Sequence, residues 1–211
     1  MHGVNAIFYV IVLIMSVVVH EVAHGLAADS QGDPTARYAG RLTFNPLKHI
    51  DLVGSILLPT FLILMKTGFV IGWAKPVPYN EGNLRNKKWG TILVASAGIL
   101  ANIGLALIFG TLFRFGVQLG FPAYDALAPH PLYVITGAIA LVNLILAFFN
   151  LIPVPPLDGS KILFALLPRR FARMRTYIES FSLVLLLLFI FFFWPKLVPF
   201  VGNLFGFITG V

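Results

Sequence analysis

His20-Glu21-Val22-Ala23-His24 brings together the residue types that a hydrolytic metal centre needs, at the spacing of one helical turn. Residues i and i+4 lie above one another on a helix, so His20 and His24 share a face and can bind one metal ion. Glu21 sits about 100° around the helix from His20, within reach of a metal-held water without ligating. Two neutral imidazoles and a carboxylate suit zinc, which in catalytic sites keeps one position open for water. Zinc lowers the pKa of that water to about 7, and Glu21 would take the proton as general base. The alternative is a solvated polar face or a satisfied core pair. It is the weaker reading, because Ile7 to Val19 carries no charge and ionisable groups inside apolar segments are costly and usually functional.

The elements that position this motif belong to a membrane. Hydrophobic residues make up 58% of the 211 and charged residues 11%, with a mean hydropathy of +0.90. The absence of cysteine excludes disulfides, cysteine-ligated zinc and thiol catalysis. The net charge of +7 does not call for nucleic acid, because its basic residues lie in short segments between apolar runs. No cleavable signal peptide is expected, since Met1-His2-Gly3 carries no Lys or Arg. The fold class is an all-α polytopic membrane protein, a helical bundle forming a single domain over 1–211. Helices are expected at about 4–28, 89–117, 131–151 and 179–195, with a shorter apolar stretch at 197–211.

Segments 74–88 and 153–178 are rich in Lys and Arg, whereas 118–130 has neither, so the first two are placed in the cytoplasm. Segment 29–51, with Arg37, Arg41 and Lys48, belongs on the same side if 4–28 runs inward. The apolar stretch 52–73 between them then cannot cross once. Pro59, Lys66, Gly68 and Gly72 interrupt it, and a re-entrant path buried against protein is expected, with an ordinary span as the alternative. Residues 36–45 read as a short β-strand or hairpin near the active site, or as an ordinary polar loop.

Asp158 is the best third metal ligand. It follows helix 131–151 at the end shared with His20 and His24, after a Pro-rich turn that can aim a carboxylate inward. Asp125 falls on the other side, Asp29, Asp33, Asp51 and Glu81 look solvated, and Glu179 is expected to open a helix. Spacing alone leaves Asp158-Gly159 equally readable as a plain turn.

HEVAH at 20–24 and Asn-x-x-Pro-x-Pro-Pro-Leu-Asp-Gly at 150–159, with Gly72-Trp73-Ala74-Lys75-Pro76-Val77-Pro78 and Gly98-Ile99-Leu100-Ala101-Asn102 between them, resemble the site-2 proteases, intramembrane zinc metalloproteases. The resemblance spans positions 20–159. It implies one Zn2+ per chain held by His20, His24 and Asp158, with Glu21 as catalytic base. It also implies that Asn150 and Asn102 are active-site asparagines. Buried amides of this kind can orient a scissile peptide or stabilise an oxyanion. Asn143 shares a helix face with Asn150, and the simpler reading there is a hydrogen bond between helices. Gly98, among Ala95, Ser96, Ala97 and Ala101, reads as close helix packing.

The chain looks like a short form, without an inserted PDZ domain or a regulatory nucleotide-binding domain. The expected activity is hydrolysis of peptide bonds in or near transmembrane segments of protein substrates, in a multi-pass protein of a prokaryotic cell membrane, with the site toward the cytoplasm. Expected partners are the substrate and the lipid bilayer; a regulatory partner or homo-oligomer is left open. The rivals are an intramembrane metal transporter, an inactive membrane-segment-binding relative and a non-haem iron site. His2, His49 and His130 receive no role, the latter two reading as solvated. The Arg169–Arg175 segment reads as juxtamembrane and lipid-contacting.

Overall fold

The computed structural model describes residues 2–65, 72–125 and 130–211. In chain order the helices are α1 (His2–Ser30), α2 (Thr35–Tyr38), α3 (Leu58–Leu64), α4 (Lys87–Arg114), α5 (Pro131–Leu151), α6 (Asp158–Leu166), α7 (Ala172–Ser180), α8 (Ser182–Leu188) and α9 (Trp194–Thr209). Four stretches are long and apolar enough to cross a membrane: Ile7–Ser30, Lys87–Arg114, Pro131–Leu151 and Ser182–Thr209. The molecule is an all-α polytopic membrane protein.

Helix α4 is the centre of the bundle, packing against α1, α5, α6 and α9. Small residues allow this approach: Gly90, Ala95, Gly98, Ala106 and Gly110 are all buried along it. Near the site end, Ala28, Leu84 and Val94 form a tight cluster. Toward the other end, Ala106 and Leu144 pack with Val201 of α9. Helix α5 is tied to α1 by a polar contact, in which fully buried Asn143 donates to Ser16 Oγ at 2.9 Å. The last expected helix, 179–195, is longer and starts later. It runs from Ser182 through a π-helical turn at Phe189–Phe193 into α9, which absorbs the separate stretch at 197–211.

Two details of the sequence reading are corrected. Residues 36–45 contain no strand. Asp33 instead accepts from the Thr35 backbone N–H and hydroxyl, and Pro34 leads into the helical turn α2, so the local hydrogen bonds close a turn rather than a hairpin. Glu179 does not open a helix. It lies near the end of α7 and accepts from Arg175 Nε at 2.8 Å, the geometry of an i,i+4 pair.

The ends of the 52–73 stretch meet. Trp73 N–H donates to Gly54 O at 3.1 Å, Ser55 Oγ donates to Trp73 O at 2.8 Å, and Lys75 N–H donates to His49 O at 2.8 Å. A single crossing by a helix of this length would part its ends by about 30 Å, so the chain comes back to where it left. A π-helical turn, Leu52–Leu57, and α3 form the outgoing part; Lys66 and Gly68 lie outside the described residues.

The three basic segments also share one end of the molecule. Arg85 N–H donates to Gln31 O, and Asp33 accepts from Asn80 N–H and Asn83 Nδ2. Segments 29–51 and 74–88 are thereby bound together, and Arg175 of α7, 4.0 Å from Glu81, brings the third segment to the same end.

Candidate metal centre

His20 and His24 lie on the face of α1 that packs against α4, 6% and 7% exposed. Gly98 of α4 makes this packing feasible: a Cβ there would fall 2.6–2.7 Å from the His20 ring atoms. Asp158 opens α6, where the chain turns sharply out of α5. Gly159 is required at that turn, because a Cβ would lie 2.2 Å from Leu151 O and 2.5 Å from Ile152 O. The Asp-Gly pair is therefore a turn and also the device that aims a carboxylate at α1.

Three atoms converge. Asp158 Oδ2 lies 3.0 Å from Nε2 of His20 and 3.0 Å from Nε2 of His24, and the two Nε2 atoms are 3.0 Å apart. The other ring nitrogens fix the tautomers. His24 Nδ1–H donates to Val94 O at 2.7 Å, which leaves a lone pair on Nε2. His20 Nδ1 faces the Asn102 amide at 3.2 Å, and the amide's other end, Oδ1, is buried without a partner. Turning the amide over, a change its shape does not resist, lets Oδ1 accept from His20 Nδ1–H, the bond a ligating imidazole makes through its second nitrogen. Nε2 of His20 then also carries a lone pair.

The result is three acceptors facing one another with no donor between them. A cation is the partner that would satisfy all three. Two nitrogens and one carboxylate oxygen match the donor set of a catalytic zinc site. Their 3.0 Å separations are slightly inside the roughly 3.3 Å edge of a tetrahedron built on bonds of ~2.0–2.1 Å. Among the described residues, His20, His24 and Asp158 are the one group of three or more ligating side chains so arranged.

The carboxylate is held by more than the imidazoles. Asp158 Oδ1 accepts from Lys161 Nζ at 3.0 Å, so its two oxygens have separate tasks.

Glu21 points to the segment between Trp73 and Tyr79, where its Oε2 accepts from Val77 N–H at 2.7 Å. Two buried polar residues hold that segment in place. Arg41 donates to the carbonyls of Lys48, Lys75 and Pro76. Asp33, fully buried, accepts from Thr35, Asn80 and Asn83. Sequence reasoning placed Asp33 among the solvated acids and His49 among the solvated histidines. His49 is 2% exposed, with Nε2 on Thr43 O at 2.9 Å. No local signal marks these residues, because their partners are as far as 50 positions away.

Asn102 is brought to the cluster, as described. Asn150 is half-buried at the end of α5 and donates to Leu146 O one turn back at 3.0 Å. Its partner is its own helix.

Comparison with known proteins gives the chain its family. The model of peptidase family M50 matches residues 111–192, the part that carries Asn150 and Asp158. A protein of Bacillus subtilis (strain 168) named "Putative zinc metalloprotease YwhC" is 37% identical over 196 residues, covering 90% of this chain and 85% of its own length. No solved structure matches. With the HExxH motif on the first membrane helix and the Asp-Gly turn opening α6 just after the third, this chain belongs to peptidase family M50, the site-2 proteases, and is a multi-pass membrane metalloprotease.

Proposed function

We propose that the protein is a zinc-dependent intramembrane endopeptidase, cleaving peptide bonds in or near transmembrane segments of membrane proteins. The observation that carries this is the convergence of three lone-pair atoms at 3.0 Å inside an apolar bundle. His20, His24 and Asp158 are the metal ligands, for one zinc ion per chain. Zinc bound there would supply a Lewis acid and make water a nucleophile near neutral pH.

The chain's own residues do the rest. Glu21 takes the proton from the attacking water and passes it to the leaving amine. Its carboxylate is already ordered by Val77 N–H, so little is lost in fixing it for proton transfer. Asn102 is a positioning residue that sets the His20 tautomer. Asn150 is assigned a substrate-facing role, contacting the peptide near the scissile bond, as the family resemblance implies. A substrate helix hides its peptide groups in internal hydrogen bonds, so it must unwind locally before attack.

The site is assigned to the cytoplasmic side. All three Lys/Arg-rich segments gather at one end of the bundle, while residues 118–125 at the other end contain neither residue type. His24 is six residues from Ser30, about 9 Å along the helix from that end. Water reaches the site by this short route.

Glu21→Gln tests the assignment with a reconstituted membrane-protein substrate. Cleavage should vanish while bound zinc stays at the wild-type level. Cleavage at an unchanged rate would remove Glu21 from the role of base.

A further inference from the structure

We propose that the basic cleft between the start of α4 and the α6–α7 turn binds the phosphate of an anionic phospholipid headgroup. The cleft encloses about 860 Å³, enough for a headgroup and its glycerol. Arg85, Lys87, Lys88 and Arg175 line it against a single acid, Glu81. Arg175 is spoken for, paired with Glu179 at 2.8 Å and 4.0 Å from Glu81. Arg85 and Lys87 have exposed side chains with no ion pair or side-chain hydrogen bond among the described residues, and Lys88 has only the Trp89 ring at 5.8 Å.

Three uncommitted cations around one concavity call for an anion. The backbone leaves room for a phosphate too: Asn86 caps the Trp89 N–H at 3.0 Å, and the N–H groups of the cleft-lining Lys87 and Lys88, at the start of the 28-residue α4, have no helical partner. The remaining wall is apolar, formed by Phe164, Leu166 and Phe171. Charge on one side and hydrocarbon on the other fit an amphiphile better than a free ion. The position agrees: Lys87 begins a membrane span, and Trp89 in its first turn is 62% exposed, as interfacial tryptophans are. Basic residues between transmembrane helices on the positively charged side are the setting in which acidic lipid headgroups are held. The bound lipid would contact the end of α6, the helix whose first residue is Asp158, about 12 Å away along its axis.

The test uses the purified full chain in neutral detergent and native mass spectrometry, with phosphatidylglycerol titrated against phosphatidylcholine. One phosphatidylglycerol should be retained at least tenfold more tightly than phosphatidylcholine. Arg85→Gln and Lys87→Gln, both at exposed side chains without polar partners, should each weaken it about fivefold. Arg173→Gln, exposed and outside the cleft, should leave it unchanged. Equal retention of the two lipids overturns the proposal, and so does an equal loss in Arg173→Gln, which would mean diffuse attraction. Displacement of the lipid by inorganic phosphate at equal concentration would assign a free-anion site and overturn the lipid. Preferential retention of an Asp-rich peptide would assign a protein partner instead.

Discussion

The end of the bundle around His20 and the long C-terminal helix from Ser182 to Thr209 are equally apolar in sequence and differ in almost everything else. Both belong to spans of mean hydropathy above 2, yet a third or more of the spans in α1, α4 and α5 is buried within the protein, against 11% of the last. Helices α7 and α8 bury no residue at all. At the site end, by contrast, Val18, Val94, Asn102 and Asp33 are below 2% exposed. Protein encloses one region, and lipid is the natural solvent of the other. A hydropathy profile sees a span in both; only the polar residues with fixed partners tell them apart.

The largest effect that separates the two regions should come from Gly98→Val. Its Cβ would enter the His20 ring, and a ligand displaced by even 1 Å should cost cleavage about 10²-fold. A rate near wild type would mean that α1 and α4 are not packed as described. Asn102→Ala should be milder. Without an acceptor at Nδ1 the His20 ring loses its fixed tautomer, and zinc affinity measured by chelator competition should drop about 10–100-fold.

Asp33→Ala sharpens the comparison from outside the metal centre. Burial pushes this carboxyl up, but its bonds from Thr35, Asn80 and Asn83 prevail and hold it below its ordinary value. A depressed carboxyl stabilises the fold fully above its unfolded pKa of about 3.9, and that stability is lost as pH falls through the lower folded value. The variant should lose about 1.5–3 kcal/mol at neutral pH and show a flatter dependence of its thermal midpoint between about pH 5 and the acid limit. The smallest effect should come from the other region. Phe192 is 64% exposed, so Phe192→Ala should change the midpoint in lipid by no more than about 0.5 kcal/mol.

Much of this was legible in the sequence, and the pattern of what was missed has a physical cause. Helix α5 begins and ends where its flanking prolines and hydropathy say it should, at Pro131 and Leu151. The i,i+4 histidines share a face because helical geometry requires it. Gly98 was readable as close packing but not as packing against His20, since its partner is 78 residues away. Asp33, Arg41 and His49 look like ordinary loop residues because charge in a loop is usually solvated. Their burial follows from the return of segment 72–80, whose position depends on a path through 52–73 that composition alone leaves open. Of the two readings of 36–45, strand or hairpin against loop, the strand gave way for a local reason, the bonds from Thr35 to Asp33 that start a helical turn.

The most direct test of the central claim is zinc per chain in the purified protein, measured for wild type, His24→Ala and Asp158→Ala. About one zinc in wild type, lost in both variants while the helical content is unchanged, is the expected result. Wild-type protein that holds no zinc after reconstitution, or an Asp158→Ala variant that keeps a full equivalent, would contradict it.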